Sequence, residues 1–492
     1  MLQDAALIVL GLVGLTFSAM LVRAAMYEPK KLKIPQLPDA EAHPCPEGAE
    51  QRLAGALRAR TVNLKGGTEP PSEELVKLHR HLKESFPLCF DRMQVSLHNE
   101  FSLLLRWPGS EAGLEPVLMM GHLDVVPVEE STMGQWSHGP FSGDIEGGFI
   151  WGRGALDCKN VVLGVLEAAE ALLRDGFTPK RSILLAFGHD EETGGMHGAA
   201  SVAEALRHEG ARLHMILDEG GRVDSPGIFT GCRKEALVSV AEKGYASFKL
   251  EVDLPGGHSS RPSKANAPAI LIKACDKVNS HSFRADIGGP FGRLLASAGP
   301  HMGFWKRLAL ANLWISGPFV KAWLSSDPYV GSLTRTTAVV TMVNCGVKDN
   351  VIPAHAEATV NTRPGFGQDP SMVMEELIRA IGDKRVKVTP TGVQIPPSKQ
   401  ANLDDERYGL LAGLIESRFN GAALLPAVLT GGTDTKHYAD MCDAIYRFVP
   451  VELPQDISAG VHGINERIPV ESYRTMICFY MDFMKNASSL GA

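Results

Sequence analysis

The segment GHDEETGG, Gly188–Gly195, sets Glu191 and Glu192 side by side, behind an aspartate and ahead of two glycines. Adjacent ionised carboxylates repel, so a chain that keeps them together either exposes both to water or gives them different work. Other reactive residues recur in similar Gly-flanked settings. MMGHLDVVP supplies His122 with Asp124 two residues on, WGRGALDCKN supplies Asp157, MILDEGG supplies Asp218 and Glu219, and GVHGINER supplies His462. Each alone has a plain explanation, such as a satisfied structural histidine or a helix cap. Two histidines and at least three carboxylates, all at the ends of strand-like runs, share one explanation in a two-metal site.

The charge count fits zinc. Asp157, Glu192 and Asp218 with two neutral imidazoles around two divalent ions leave one net positive charge, which a bridging hydroxide neutralises. Cobalt and manganese suit the same mixed donor set. A water shared by two ions becomes acidic near neutrality and the substrate carbonyl is polarised, so amide hydrolysis follows. The glutamate pair then divides its work: Glu192 binds metal, and Glu191 stays free to act as general base. Asp124 is placed to orient the His122 imidazole.

The elements that must carry these residues alternate along the chain. PVLMMGHLDVVP and RSILLAFGHD read as short buried strands and NVVLGVLEAAEALLRDG as a helix with a Gly stop, an α/β pattern with a mainly parallel sheet. From Lys243 the texture shifts to β-α-β-β-α-β order, a ferredoxin-like α+β unit inserted into the first domain. The expected division is residues 45–242 and 396–492 as catalytic domain and 243–395 as lid or dimerisation domain. Within the lid, 281–327 is an apolar insertion rich in Phe and Trp. It is expected as extra helices packing on the lid, with an apolar channel or a membrane- or dimer-contacting surface as alternatives.

Composition sets outer limits. With 49 Lys and Arg against 56 Asp and Glu the net charge is −7, and no run of basic residues suggests a nucleic-acid partner. Eight scattered cysteines without a C-x-x-C pair read mostly as buried free thiols. Ala5–Val22 is uncharged and bounded by Asp4 and Arg23. Residues 1–25 therefore read as a signal peptide or membrane anchor leading into the secretory pathway, and the Pro-rich 26–44 as a linker. Arg23 and the lysines after it also allow a cytosol-facing anchor.

The motifs GHLDVVP, WSHGPFSGDIEGGFIWGRGALDCK, GHDEETGG, LDEGG, GGHSS and VHGINERI, in this order, resemble the aminoacylase/carboxypeptidase family of dizinc metallopeptidases, peptidase family M20, from about residue 45 onward. The resemblance implies two zinc ions bridged by Asp157 and a water or hydroxide. One ion would add His122 and Asp218, with Glu219 the alternative to Asp218, and the other Glu192 and His462. It further implies Asp124 as orienting carboxylate, Glu191 as base, His258 as oxyanion stabiliser, and Asn350 and Arg363 as holders of the substrate carboxylate. Gly432 and Thr433 match a loop at the substrate edge. The N-terminal apolar segment, LDEGG, VHGINERI and the lid insertion look most like the carboxypeptidase S branch. The implied function is N-fatty-acyl-amino-acid hydrolysis, reversible to synthesis from a free fatty acid and an amino acid. A carboxypeptidase or dipeptidase on short peptides and a non-catalytic carrier of lipidated amino acids are the alternatives. The expected partners are small molecules, a second copy through the lid, and lipid or membrane.

Overall fold

The computed structural model describes residues 2–37, 44–63, 70–231 and 233–491. A ten-stranded, mainly parallel sheet forms the larger layer. Its centre runs Ser102–Trp107, Ile183–Gly188, Val117–His122, Met215–Asp218, Ile445–Arg447 and Glu235–Glu242. Val117–His122 pairs in parallel with the strands on either side of it, and its residues are buried throughout. A strand covered on both faces reads as an uninterrupted apolar run, as VLMMG does. The helix Lys159–Arg174 packs across it, and Gly121 is where a side chain would meet Val161 and Val162 at 3.3 Å. The sheet therefore lays its C-terminal edge open for loops, which is where an open α/β sheet carries its reactive groups.

The smaller sheet has four antiparallel strands in the order Thr337–Cys345, His355–Arg363, Tyr245–Asp253, Lys387–Ile395. Helices Ala267–Ser280 and Pro370–Ile381 pack on it, and together they bury Phe248, Leu250, Leu271, Val360 and Leu377. Chain order is β-α-β-β-α-β, the ferredoxin-like arrangement expected from sequence.

The insertion departs from expectation. Its helices Gly289–Ala298, Phe304–Ala311 and Leu313–Ser326 form a core with Ala423–Leu429, an edge strand of the large sheet, rather than with the lid. Phe291, Leu294 and Leu295 pack against Leu425, Ala427 and Val428. The reason is physical: that strand pairs on one side only, with Glu235–Glu242, and its apolar residues need a cover.

The N-terminal helix Leu2–Ala25 contains one stretch, Gln3–Ala25, long and apolar enough to cross a membrane, as a signal sequence near an N-terminus also is. The segment after it is not free. Lys30 pairs with Asp404, and Ile34 and Leu37 lie against Gly413 on the helix Glu406–Arg418. Cys45, Cys89, Cys158, Cys275, Cys345, Cys442 and Cys478 are free thiols, and Cys232 lies outside the described residues.

Candidate metal centre

His122 ends its strand opposite Gly188, so the HDEE loop starts beside it. The imidazole is buried, with Nε2 3.0 Å from Asp157 Oδ1 and 3.4 Å from Glu219 Oε1. Asp157 reaches the other way too: its Oδ2 lies 3.0 Å from His462 Nε2. Glu192 Oε1 is 3.4 Å from the same His462 nitrogen. One carboxylate thus stands between two histidines, each of which has a further carboxylate beside it.

Asp124 organises the entrance of this cluster. Its Oδ1 accepts the Glu191 amide and its Oδ2 the Glu192 amide, each at 3.1 Å, and Oδ1 lies 3.3 Å from His122 Nδ1. Asp124 therefore fixes both the glutamate turn, through its side chain, and the imidazole, whose Nδ1 donates to its backbone carbonyl at 2.9 Å. The turn closes through Gly194 and Gly195, whose φ values of 115° and 70° favour glycine. Asp190 accepts the amides of His197 and Gly198 at 2.8 Å and holds the turn from behind.

Electrostatics show how strongly the cluster attracts positive charge. Burial opposes ionisation of Asp157, yet the hydrogen bonds from His122 and His462 hold its carboxyl far below the usual carboxylate range. Hydrogen bonds to Asp157 and Glu192 push His462 up to about 10. Burial, reinforced by Asp157, pushes Glu219 up to about 8, and burial carries Glu191 well above its ordinary value. Glu192 Oε1 is buried beside the His462 imidazole. Mixed imidazole and carboxylate donors, buried together and several in mutual repulsion, fit divalent cations. Two groups of ligating atoms lie within coordination reach: His122, Asp157 and Glu192, and His122, Cys158 and Glu219. Burial raises the Cys158 thiol well above its ordinary value, which keeps it protonated beside the imidazole.

Asp218 does not join these groups. It ends the strand Met215–Asp218, and burial lifts its carboxyl to about 6 against the lowering influence of the Glu219 amide, then Arg447 and Thr433. Glu219, the alternative to Asp218 under the family resemblance, is the carboxylate that lies beside His122, at 3.4 Å.

Two residues unremarked in the sequence reading tie the centre together. Glu466 is fully buried; its Oε1 accepts the amides of Gly154, Leu156 and Asp157 at 3.0, 2.8 and 3.2 Å. Its Oε2 pairs with Arg153 at 2.5 Å, and Arg153 also donates to the carbonyls of His462 and Gly463. The loop bearing Asp157 and the loop bearing His462 are thus knotted by one ion pair. The sequence shows only two charges beside the motif residues, Arg153 in WGRG and Glu466 in GINER, and nothing in it encodes their meeting.

The lid residues are more dispersed. His258 lies exposed on the short strand Gly257–His258, paired with Val351–Ile352, and its Nδ1 bonds to Ser260 Oγ at 2.8 Å. Asn350 adjoins this hairpin, its carbonyl accepting the Ser259 amide. Arg363 ends the strand His355–Arg363 with its guanidinium 4.9 Å from the Tyr245 ring; burial lowers its pKa while Glu191 is near enough to raise it. Thr433 donates through both its amide and Oγ1 to Glu242, and Gly432 is exposed beside it.

A mainly parallel α/β sheet whose C-terminal edge gathers histidines and carboxylates around a shared aspartate, with a free glutamate alongside, defines a metal-dependent hydrolase. The chain belongs to peptidase family M20/M25/M40, whose pattern matches residues 118–486. It is 35% identical to the probable carboxypeptidase S-like 2 of Dictyostelium discoideum, over 89% of this chain and 84% of that protein. It is also 35% identical to the N-fatty-acyl-amino acid synthase/hydrolase of Mus musculus, over 89% and 88%. Among solved structures, an M20 family metallo-carboxypeptidase from Sulfolobus solfataricus has the same fold, with a TM-score of 0.66 at 18% identity over 89% of this chain and 99% of that one. Human carnosine dipeptidase 1 follows at a TM-score of 0.62 and 15% identity, over 90% and 100%. The protein is a hydrolase of amide bonds from a metallopeptidase family, acting on small-molecule substrates.

Proposed function

We propose that this protein is a zinc-dependent N-fatty-acyl-amino-acid hydrolase that also runs in reverse as a synthase. The observation that carries the reading is the similarity to a synthase/hydrolase of that class at 35% identity over nearly the whole of both chains. In this reading residues 45–242 and 396–492 form the catalytic part and 243–395 the lid, and lids of two copies pair. Residues 1–25 direct the chain to the secretory pathway as signal or anchor, with 26–44 as the connection.

His122, Asp157 and Glu219 would hold one zinc ion, with Glu219 in place of Asp218, and Asp157, Glu192 and His462 would hold the other. When bound, the ions polarise the scissile carbonyl and make a shared water acidic. Glu191 takes the proton from the attacking water and delivers it to the leaving amine, a role suited to a buried carboxyl with a raised pKa. Asp124 keeps Glu191 and His122 in register through the bonds described above. Arg363 grips the carboxylate of the amino-acid half in a two-pronged hydrogen bond, with Asn350 assisting. His258, brought in by lid closure or by the partner copy, donates to the carbonyl oxygen as negative charge develops there. Gly432 and Thr433 border the substrate. In the synthetic direction Glu191 removes a proton from the incoming ammonium group, and the same residues serve because one transition state is crossed both ways.

A second reading, a carboxypeptidase or dipeptidase on short peptides, is favoured by the similarity to a carboxypeptidase S-like protein. Hydrolysis of N-oleoyl-phenylalanine against alanyl-phenylalanine by the metal-loaded full chain separates the two. The proposal expects kcat/KM at least about 10-fold higher for the acyl substrate, the worth of a few buried methylenes. Faster release from the dipeptide would replace it with the peptidase reading.

A further inference from the structure

The insertion helices carry a surface that amide hydrolysis does not use. Leu313–Ser326 is mostly apolar, with Lys321 its one charged residue: Val320 and Leu324 are buried, while Ile315, Phe319 and Trp323, spaced four apart, line an exposed face. Phe319 is 78% exposed, Trp305 on the preceding helix 74%, and Trp314 61%. An apolar helix face of this size is normally covered by core, by another protein or by lipid, and here only the side carrying Val320 and Leu324 has a core.

The position of this surface is set by the N-terminal helix. Most of its apolar stretch is exposed, and it is held at its base, where Ala24 is buried. Asn312 Nδ2 donates to the Met20 carbonyl at 3.1 Å, Arg307 Nη2 to the Ala25 carbonyl at 3.0 Å, and Arg23 Nε to the Ala311 carbonyl at 3.3 Å. Trp314 Nε1 bonds in turn to Asn312 Oδ1 at 3.3 Å, which puts an indole at the foot of that helix. Whatever apolar phase receives the N-terminal helix meets the insertion where it ends.

Charge identifies the phase. Residues 287–326 contain Arg293, Lys306, Arg307 and Lys321 and no acid, in a chain whose net charge is −7. Lys306 Nζ lies 5.3 Å from the Trp323 ring centroid, and Phe304 and Trp305 stack edge to face at 5.1 Å. Exposed indoles interleaved with cations are the composition of a lipid headgroup boundary, whereas protein–protein interfaces are depleted in lysine.

We propose that the outer faces of Phe304–Ala311 and Leu313–Ser326, with the last turns of the N-terminal helix, form one surface that seats in the interfacial layer of a bilayer containing anionic lipid. The proposal stands apart from the choice of substrate, because it concerns residues outside the metal centre.

The test uses the full chain in nanodiscs of phosphatidylcholine and phosphatidylserine, with and without bromine on the acyl chains. Bromine quenches tryptophans that touch lipid, and of the six in the chain Trp305, Trp314 and Trp323 lie on the surface. Roughly half of the emission should be quenched, and less once phosphatidylserine is replaced by phosphatidylcholine, since cations at the surface favour anionic headgroups. The combined variant Trp305→Ser, Trp314→Ser, Trp323→Ser should lose most of the quench while keeping native rates on a soluble dipeptide. Equal emission from brominated and plain discs overturns the proposal, including when disc mass shows two copies joined through this face. That comparison on the native chain decides the matter even if the combined variant fails to fold.

Discussion

Asp218 and Glu219 show why neighbouring residues of like chemistry resist assignment from sequence. Successive side chains at a strand end point to opposite sides, so only one of an Asp-Glu pair can meet His122. Glu219 lies 3.4 Å from its Nε2, whereas Asp218 shares a buried environment with Arg447 and Thr433. Glu219→Gln should lower bound zinc from two equivalents towards one, and Asp218→Asn should leave both; metal analysis of the purified variants reads the difference, and the opposite pattern restores Asp218 as ligand. Glu466 makes a second prediction at this scale. Removing one member of a buried ion pair costs about 3–5 kcal/mol, and loss of a residue that orients ligands weakens metal binding by about 10–100-fold. Glu466→Gln should therefore show a lower unfolding temperature together with weaker zinc binding in a chelator competition. His122 and Glu192 were legible as candidates because each comes just after or at the end of an apolar run, and Asp157 and His462 because each sits in a Gly-flanked turn or loop. Glu466 was not, because its partners are amides and an arginine more than 300 positions away, and no spacing encodes that meeting.

Among elements, the two sheets were readable from period and order, while the docking of the insertion was not. Its Phe, Leu and Trp content demanded burial and pointed to the lid, with a channel or a contact surface as alternatives; most of the cover comes instead from the edge strand Ala423–Leu429, paired on one side only. The helix Glu406–Arg418 offers a test of stability at this scale. Arg407 near its start donates to the His214 carbonyl at 2.7 Å, and His214 Nε2 is buried with no partner among the described residues. Burial, with Arg181 and Arg407 nearby, pushes His214 down to about 4. An unfolded histidine takes up its proton near 6.5, so between about 6.5 and 4 the unfolded chain binds more protons than the folded one. The stability His214 contributes is complete above the unfolded value and is lost as pH falls through this window. Unfolding temperatures at pH 7 and pH 5 should fall less for His214→Phe than for the native chain; an equal fall would show that His214 does not titrate in this way.

At the scale of the molecule, the large sheet presents the metal centre at its C-terminal edge, the ferredoxin-like unit carries Arg363 and His258 from the lid, and the insertion closes the exposed strand. Glu191 stands where these parts meet: Asp124 holds its amide, His122 and Glu219 lie near its carboxyl, and Arg363 is within its field. The account rests on that residue moving the proton without binding metal. The most direct measurement is turnover of N-oleoyl-phenylalanine by the native chain and Glu191→Gln, with zinc content determined on the same samples. Full zinc occupancy with turnover lowered by about 10²–10⁴-fold is the expected result for loss of a general base. Turnover close to native, or loss of zinc in proportion to loss of turnover, would contradict it.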